Sequence, residues 1–165
     1  MVIEITQDEI KQNITKDVLS KLPQWFGADS VNIYVRQSVD SPFFTYMDKG
    51  QYIGFVFLKL HNSYSAEICA MGVVENYRRN GIGRALMAKC LDYCIEHNIE
   101  YLQVKTLDSS FPDYYYNITR DFYTAMGFRP LECIPTLWDE ESPCLIMIMH
   151  VASQIQKVLP KSKCF

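Results

Sequence analysis

Residues 67–87 read EICAMGVVENYRRNGIGRALM, and this stretch decides the fold. The apolar segment that ends near Val73 is typical of a buried strand, and the apolar residues from Ile82 onward recur at the spacing of an amphipathic helix. A helix that begins near Gly83 has free backbone N–H groups in its first turn, and its dipole adds positive charge there. The sequence therefore predicts a strand, a turn and a helix whose N-terminus binds an anion.

The turn between this strand and this helix is basic and contains glycine. Gly81 and Gly83 lack the Cβ atoms that would hold a phosphate away from the backbone. Three arginines surround them, namely Arg78, Arg79 and Arg84. Guanidinium groups make strong charge-assisted hydrogen bonds to phosphate oxygens. A diphosphate is therefore the anion that the turn fits best.

The turn has the pattern R-x-x-G-x-G, which resembles the acetyl-CoA-binding segment of the GNAT superfamily of N-acetyltransferases. The family signature, Q/R-x-x-G-x-G/A between a strand and a helix, has its fixed positions at Arg78, Gly81 and Gly83. A second stretch, FYTAMGF at residues 122–128, resembles the aromatic-Tyr-x-x-x-Gly-Phe segment that closes the family's cofactor site. A lone glycine turn is a weak signal, whereas two family segments in the right order are a strong one. The likeness covers roughly residues 43–149.

The resemblance implies a site for acetyl-CoA as co-substrate. The residues expected to contact it are Met71, Gly72, Val73, Arg78, Arg79, Asn80, Gly81, Ile82, Gly83 and Arg84. In this family the strand is splayed from a parallel neighbour and exposes backbone groups to the pantetheine arm. A backbone N–H near Val73 is then expected to polarise the thioester carbonyl, where oxyanion charge develops during direct attack by an amine.

Glu67 is the candidate general base. On a regular strand it shares a face with Cys69, Met71 and Val73, so its carboxylate is expected among apolar neighbours. Desolvation makes a carboxylate more basic, and a base that deprotonates an ammonium group needs this property. The residues alone favour a glutamate at a sheet edge or one paired with an arginine. Histone-type members of the family, however, carry their catalytic glutamate at the same offset before the glycine that is Gly81 here.

Tyr123 is the candidate general acid, because it matches the family tyrosine that protonates the departing thiolate. The alternative is a core aromatic residue, although a buried phenol needs a hydrogen-bond partner. The asparagine that many members carry seven residues earlier is Tyr116 here, so that cofactor contact is not transferred. Cys69 is a weaker candidate for an acyl carrier, since a buried strand cysteine usually serves packing.

Hydrophobic periodicity predicts an α/β domain in which helices flank one mixed central sheet. Strands are expected at residues 2–5, 43–47, 52–60, 65–74, 101–107, 129–134 and 144–149, and helices at residues 6–22, 31–39, 82–97, 119–126 and 150–159. The segment 31–39 alternates like a strand, and only the family topology favours a helix there. Thr6 and Glu9 form a capping-box signature for the first helix. The order strand, helix, strand around residues 82–97 predicts a right-handed crossover between adjacent parallel strands.

Length and composition predict one globular domain over residues 1–165, with a C-terminal extension at 150–165. The 165 residues include 48% apolar and 21% charged residues, which is enough apolar material for a core that needs no disulfide bonds or metal ions. A net charge of −3 gives no electrostatic footprint for nucleic acid. The apolar runs have the length of strands and predict no membrane span.

The cysteines indicate whether a metal site is expected and in which cellular compartment the protein is expected. None of the six has the spacing of a zinc ligand, so no metal is expected. Free thiols and the lack of a signal peptide favour the cytoplasm, and we expect a monomer or a homodimer. Aromatic and acidic residues in two predicted loops are candidates for the wall of an acceptor site. They are Phe111, Tyr114, Tyr115, Tyr116, Trp138, Asp139, Glu140 and Glu141.

Two functions from different classes fit these observations. The first is an acetyl-CoA-dependent N-acetyltransferase that acts by direct attack of a primary amine of a small molecule or a protein. The alternative is a non-catalytic module that binds or senses acyl-CoA with the same turn. Glu67 and Tyr123 favour the enzyme, because a binding module needs the phosphate site but neither proton-transfer group.

Overall fold

A mixed sheet forms the centre of the structure, a computed structural model that describes residues 1–139 and 141–154. The strands of the sheet are β1 (Val2–Glu4), β2 (Phe43–Asp48), β3 (Gln51–Leu60), β4 (Ser65–Val73), β5 (Tyr101–Leu107), β6 (Arg129–Asp139) and β7 (Ser142–His150). The helices are α1 (Asp8–Ser20), α2 (Ala28–Gln37), α3 (Ile82–Glu96) and α4 (Tyr114–Met126). Across the sheet the strands follow the order β1-β2-β3-β4-β5-β7-β6.

This architecture confirms the predicted fold class, an α/β domain with a mixed sheet flanked by helices. β4 and β5 are parallel, and the other neighbouring strands are antiparallel. α3 connects the two parallel strands, as the order strand, helix, strand predicted. The ambiguous segment 31–39 lies largely in α2, so the choice of a helix is confirmed.

The first helix begins differently from the prediction. Its N-cap is Gln7, whose side chain makes no capping hydrogen bond, so the capping box predicted from Thr6 is wrong. The carboxylate of Asp8 instead accepts hydrogen bonds from Lys11 Nζ at 2.9 Å and from the backbone N–H of Asp40 at 3.1 Å. A tertiary contact therefore holds this end of the helix in place of a local cap.

α4 and β6 are both longer than predicted. α4 begins at Tyr114 because the side chain of Asp113 caps it, accepting a hydrogen bond from the backbone N–H of Tyr116 at 2.9 Å. The tyrosines assigned to a loop therefore lie on a helix. β6 continues to Asp139, so Trp138 lies on an edge strand instead of a loop. The predicted helix at 150–159 falls mostly outside the described residues, and so does most of the predicted C-terminal extension at 150–165.

The core consists of two clusters, one on each face of the sheet. α3 and α4 cover one face, where Leu86, Phe128 and Met147 are buried. α1 and α2 cover the β2-β3-β4 part of the other face, where Leu19 packs near three phenylalanines. The rings of these phenylalanines stack on one another, and they belong to Phe43, Phe55 and Phe57. At β4, one face carries the apolar side chains of Met71 and Val73, and the other carries the carboxylate of Glu67.

β4 and β5 separate along their length. They pair from Ser65↔Tyr101 to Ile68↔Val104, and beyond these positions β4 pairs only with β3 and β5 only with β7. The separation begins at a β-bulge, because Phe57↔Ala70 is followed by Leu58↔Ile68 and Cys69 is the extra residue. A bulge breaks the ladder and bends the strand. The sheet therefore opens at the C-terminal ends of its two parallel strands.

Candidate active site

The turn between β4 and α3 carries a run of free backbone N–H groups. Its backbone is left-handed at Arg79, with a φ of 64°, and at Gly81, with a φ of 76°. The first N–H of the helix to bond within the chain is that of Ala85, which donates to the carbonyl of Gly81 at 3.0 Å. Within the described residues, no acceptor bonds the backbone N–H groups of residues 79–84. Free N–H groups of this kind, together with the dipole of a helix such as α3, are able to bind an anion.

The two glycines of the turn serve different purposes. A Cβ atom on Gly81 would meet no atom within 4 Å, so the space beside this residue is open. A Cβ atom on Gly83 would instead lie 3.0 Å from Cε2 and 3.1 Å from Cζ of Phe122 on α4. The structure thus gives Gly83 a packing role that the sequence-based explanation, room for a phosphate, did not include. The missing side chain allows α3 and α4 to pack closely.

The three arginines of the turn also divide into two kinds. Arg78 is half-buried, with Nε donating to the carbonyl of Val73 at 3.1 Å and its guanidinium 4.3 Å from the centre of the Trp25 ring. Burial lowers the pKa of Arg78. Arg79 and Arg84 are exposed. Arg78 therefore fixes the end of β4, whereas the other two arginines are free to meet a phosphate.

Trp25 connects the α1–α2 loop to α4. Its Nε1 donates to Oγ1 of Thr119 at 3.0 Å, and its carbonyl accepts a hydrogen bond from the Tyr116 hydroxyl at 3.2 Å. The ring of Tyr115 packs edge-on against the indole with centroids 4.9 Å apart. Tyr116, which stands where many family members carry asparagine, thus anchors this loop. No local pattern indicated a role for Trp25, because its partners are distant along the chain.

Glu67 lies in a polar network. Its side chain is only 10% exposed, and Oε2 accepts hydrogen bonds from Lys105 Nζ and lies beside Nε2 of His61, both at 2.8 Å. Nε2 of Gln103 lies 3.4 Å from the same oxygen. The expectation of apolar neighbours is therefore wrong. Gln103 and Lys105 are polar residues of the adjacent parallel strand and share the face of Glu67.

The prediction that Glu67, Met71 and Val73 share one face of β4 is also wrong. Met71 and Val73 pack with the α3 and α4 cluster, whereas Cys69 packs with the α1 and α2 cluster. The bulge at Cys69 adds one residue and so reverses the alternation of side chains. Glu67 therefore lies on the face of the sheet opposite Met71 and Val73. Sequence alternation alone does not reveal a bulge.

Tyr123 lies on the other face of the sheet from Glu67. Its side chain is buried, and its ring contacts those of Phe122 and Phe128 with centroids 5.3 and 5.4 Å apart. Burial raises the pKa of Tyr123, and proximity to Cys90 adds to the effect. The two candidate proton-transfer groups are therefore on opposite faces of the sheet.

Cys69 has the properties of an inert thiol. Its Sγ donates to Oε1 of Gln37 on α2 at 3.2 Å, and burial raises its pKa to about 12. Burial also raises the pKa of the nearby Tyr34 to about 12. A thiol with such a pKa is protonated at neutral pH and is a poor nucleophile. The geometry thus disfavours an acyl-carrier role for Cys69.

Residues 12–128 match the acetyltransferase (GNAT) family. The chain belongs to this family. An uncharacterised N-acetyltransferase of Chlorobaculum tepidum is 27% identical over 120 residues, which cover 69% of this chain and 69% of that protein. The family and this relative identify the present GNAT protein as an N-acetyltransferase.

Two solved structures share the fold of this GNAT protein. An aminoglycoside 6'-N-acetyltransferase complexed with coenzyme A matches with a TM-score of 0.72 and 15% identity, over 99% of this chain and 99% of its own. The ribosomal-protein-S18-alanine N-acetyltransferase of Escherichia coli matches with a TM-score of 0.70 and 14% identity, over 100% and 99%. The names of these two enzymes refer to very different acceptors. The fold therefore leaves the acceptor open.

Two further groups of this GNAT protein contact the candidate base Glu67, although sequence reasoning missed them. They are His61 and Lys105, the partners of Glu67. Lys105 had a signal, because polar residues alternate with buried ones along a strand predicted to lie beside β4. In the described ranges no group of three or more His, Cys, Asp or Glu residues is arranged to hold a metal ion. None of the described helices is long and apolar enough to cross a membrane.

Proposed function

We propose that this GNAT protein transfers an acetyl group from acetyl-CoA to a primary amine by direct attack. The observation that carries the proposal is the opening between β4 and β5, with free N–H groups at its α3 end and the Glu67 carboxylate on its other face. Acetyl-CoA, when bound, supplies a thioester whose carbonyl carbon accepts the amine. No covalent intermediate with the protein is required.

The residues present fit a diphosphate at the turn. The N–H groups of residues 79–84 are unpaired within the described chain, and the space beside Gly81 is open. Arg79 and Arg84 are exposed and add positive charge. Ile82 and Asn80 contribute to the turn chiefly through the backbone, although Nδ2 of Asn80 also donates to the carbonyl of Tyr77 at 3.2 Å. These residues would hold the diphosphate by hydrogen bonds and charge.

The end of β4 would bind the pantetheine arm. Residues 71–73 pair with β3 on one edge, and beyond Ile68 their other edge has no partner in β5. Unpaired strand edges bind extended ligands through backbone hydrogen bonds. A backbone N–H on this edge would donate to the thioester carbonyl oxygen, and such a donor contributes roughly 3 kcal/mol to an oxyanion transition state.

Glu67 and Tyr123 would move protons on opposite sides of the opening. Glu67 would accept a proton from the acceptor ammonium group, which then attacks as a neutral amine. His61 and Lys105 hold one oxygen of its carboxylate by contacts of 2.8 Å, and so fix its orientation. Tyr123 would donate its proton to the departing thiolate. A phenol that stays protonated at neutral pH is suited to this role.

Replacement of Glu67 by glutamine tests the proposal. The variant should retain CoA affinity by calorimetry and lose turnover by roughly 10²-fold in a thiol-release assay, because only the proton acceptor is removed. Glu96→Gln is the matched control, since Glu96 is exposed at the end of α3 and should behave as wild type. The acceptors to screen are aminoglycosides, polyamines, amino acids and peptides with free N-termini. Wild-type turnover in Glu67→Gln would return Glu67 to a structural role.

Other features support the finer expectations. The sheet takes strands from both ends of the described chain, which supports a single domain over residues 1–165. The described cysteines are all free thiols, which supports a reducing compartment such as the cytoplasm. The alternative function, a non-catalytic acyl-CoA-binding module, would give CoA binding without thiol release for any acceptor. The partly buried carboxylate beside the opening favours the enzyme.

A further inference from the structure

Lys105 lies where the sheet opens. It follows Val104, the last residue of β5 that pairs with β4. Its Nζ is 2.8 Å from Oε2 of Glu67, and the two side chains are 26% and 10% exposed. An ammonium group of the chain itself therefore already contacts the carboxylate that is proposed to deprotonate the acceptor amine.

Lys59 provides an internal comparison. It lies directly opposite Glu67 in the antiparallel register of β3 and β4. Lys59 is exposed, and among the described residues it forms no ion pair. Two lysines on neighbouring strands thus flank the same carboxylate, yet only Lys105 contacts it. A reaction that depends on exposure should therefore favour Lys59, whereas one that depends on contact with Glu67 should favour Lys105.

The carboxylate has an exit for a proton. Nε2 of His61 lies 2.8 Å from Oε2 of Glu67, and the imidazole side chain is 30% exposed. Nε2 of Gln103 lies 3.1 Å from Nε2 of His61 and completes the network. A proton received by Glu67 therefore has a partly exposed imidazole between itself and solvent.

We propose that Lys105 is a site of self-acetylation, with Glu67 as its base and acetyl-CoA as donor. The inference rests on the acetyl transfer proposed above. The Lys105 ammonium group loses one proton to Glu67, and its neutral Nζ attacks the thioester carbonyl carbon. A C–N bond forms and the C–S bond breaks. The thiolate leaves and takes up the second proton lost by the nitrogen, so that the products are acetyl-lysine, CoA with a free thiol, and a proton on Glu67.

Acetylation of Lys105 changes the site. An acetylated amine carries no charge, so the ion pair with Glu67 is lost. The carboxylate then keeps His61 and Gln103 as partners, and its charge is available to the ammonium group of an external acceptor. Self-acetylation would therefore convert a carboxylate occupied by its own chain into one that is open to substrate.

The first experiment needs no acetyl-CoA and measures the contact itself. The full chain is treated with acetyl phosphate, and peptide mass spectrometry follows the initial rates at Lys105 and Lys59. Lys59 should react faster in the wild type, because it is exposed and unpaired among the described residues. In Glu67→Gln the rate at Lys105 should rise, because its partner is gone. A Lys105 rate that equals that of Lys59 in the wild type would contradict the contact.

The second experiment uses isotope-labelled acetyl-CoA on the same protein. The order should reverse, with Lys105 at least about tenfold faster than Lys59 and saturable in acetyl-CoA, since a positioned base assists only Lys105. Glu67→Gln should lower this rate, although it raises the rate with acetyl phosphate. The same order of lysines with both donors in the wild type would overturn the proposal without recourse to any variant.

A thiol-release screen with external amines separates the two hypotheses. If the protein acetylates an external amine while Lys105 stays unmodified, self-acetylation is refuted and the proposed function stands. If CoA binds but neither Lys105 nor any amine is acetylated, the proposed function fails as well.

Discussion

Alanine at Gly83 separates packing from cofactor contact in the turn. Its Cβ would lie 3.0 and 3.1 Å from two carbons of Phe122 and 3.6 Å from Cε of Met71. Overpacking of this kind costs about 1–3 kcal/mol, while replacing glycine in a helix by alanine gains about 0.5–1 kcal/mol. We therefore expect a net loss of about 1 kcal/mol in the free energy of unfolding, which lowers Tm by roughly 2–4 °C for a domain of this size.

The assay is a double-mutant cycle followed by chemical and thermal denaturation. Phe122→Leu removes the ring that the new Cβ would meet, so Gly83→Ala should cost less in that background, with a coupling of about 0.5–3 kcal/mol. Gly81→Ala is the matched control, because its Cβ meets no atom within 4 Å and its cost comes from a φ of +76°. That cost is expected to be the same with Phe122 or leucine. Additive effects for Gly83 and Phe122 would refute the packing explanation.

Titration of the same variants with CoA locates the anion site. Gly81→Ala should weaken CoA binding by about tenfold, which corresponds to about 1.4 kcal/mol, because the free N–H groups and the open space coincide at this residue. The double variant with Gly83→Ala and Phe122→Leu should lose less CoA affinity than Gly81→Ala does. Equal losses in both would show that the turn responds as one unit.

Two further predictions concern the groups beside the opening. Tyr123→Phe should lower turnover by about 10²-fold with little change in CoA affinity, and full activity across pH at unchanged stability would reduce this tyrosine to a packing residue. Burial raises the pKa of Cys69 to about 12, so its thiol stays protonated at pH 8 and should be alkylated by iodoacetamide more slowly than the exposed Cys133; faster labelling of Cys69 would reopen the acyl-carrier role.

Local sequence signals made β4, the turn after it and α3 predictable. Glycine at 81 marks a left-handed turn, and the apolar pattern that follows marks α3, so the strand, the turn and the helix could be placed from residues close together in sequence. Asp113 is also a local signal, because aspartate is a strong N-cap, and the late start predicted for α4 overlooked it. These features depend on chemistry within one turn of the chain.

The surroundings of Glu67 and of Trp25 could not be predicted to the same extent. The partners of Glu67 come from the β3–β4 hairpin and from β5, and Trp25 meets residues on α4 that are more than 90 positions away. Contacts of this kind depend on the register of the sheet and on the way the α1–α2 loop approaches α4. An amphipathic pattern specifies which face is buried, but it does not specify which polar side chains meet.

The bulge at Cys69 puts Glu67 on one face of the sheet and Met71 and Val73 on the other. Were β4 regular, Glu67 would share the face of Met71 and Val73, which pack into the apolar cluster under α3 and α4. A carboxylate there would be far from Lys105 and from solvent, and an external amine would have to pass through the core to reach it. One extra residue places the carboxylate on the face of the sheet opposite Met71 and Val73. In the function proposed above, the thioester and the amine would then approach the opening from opposite faces of the sheet.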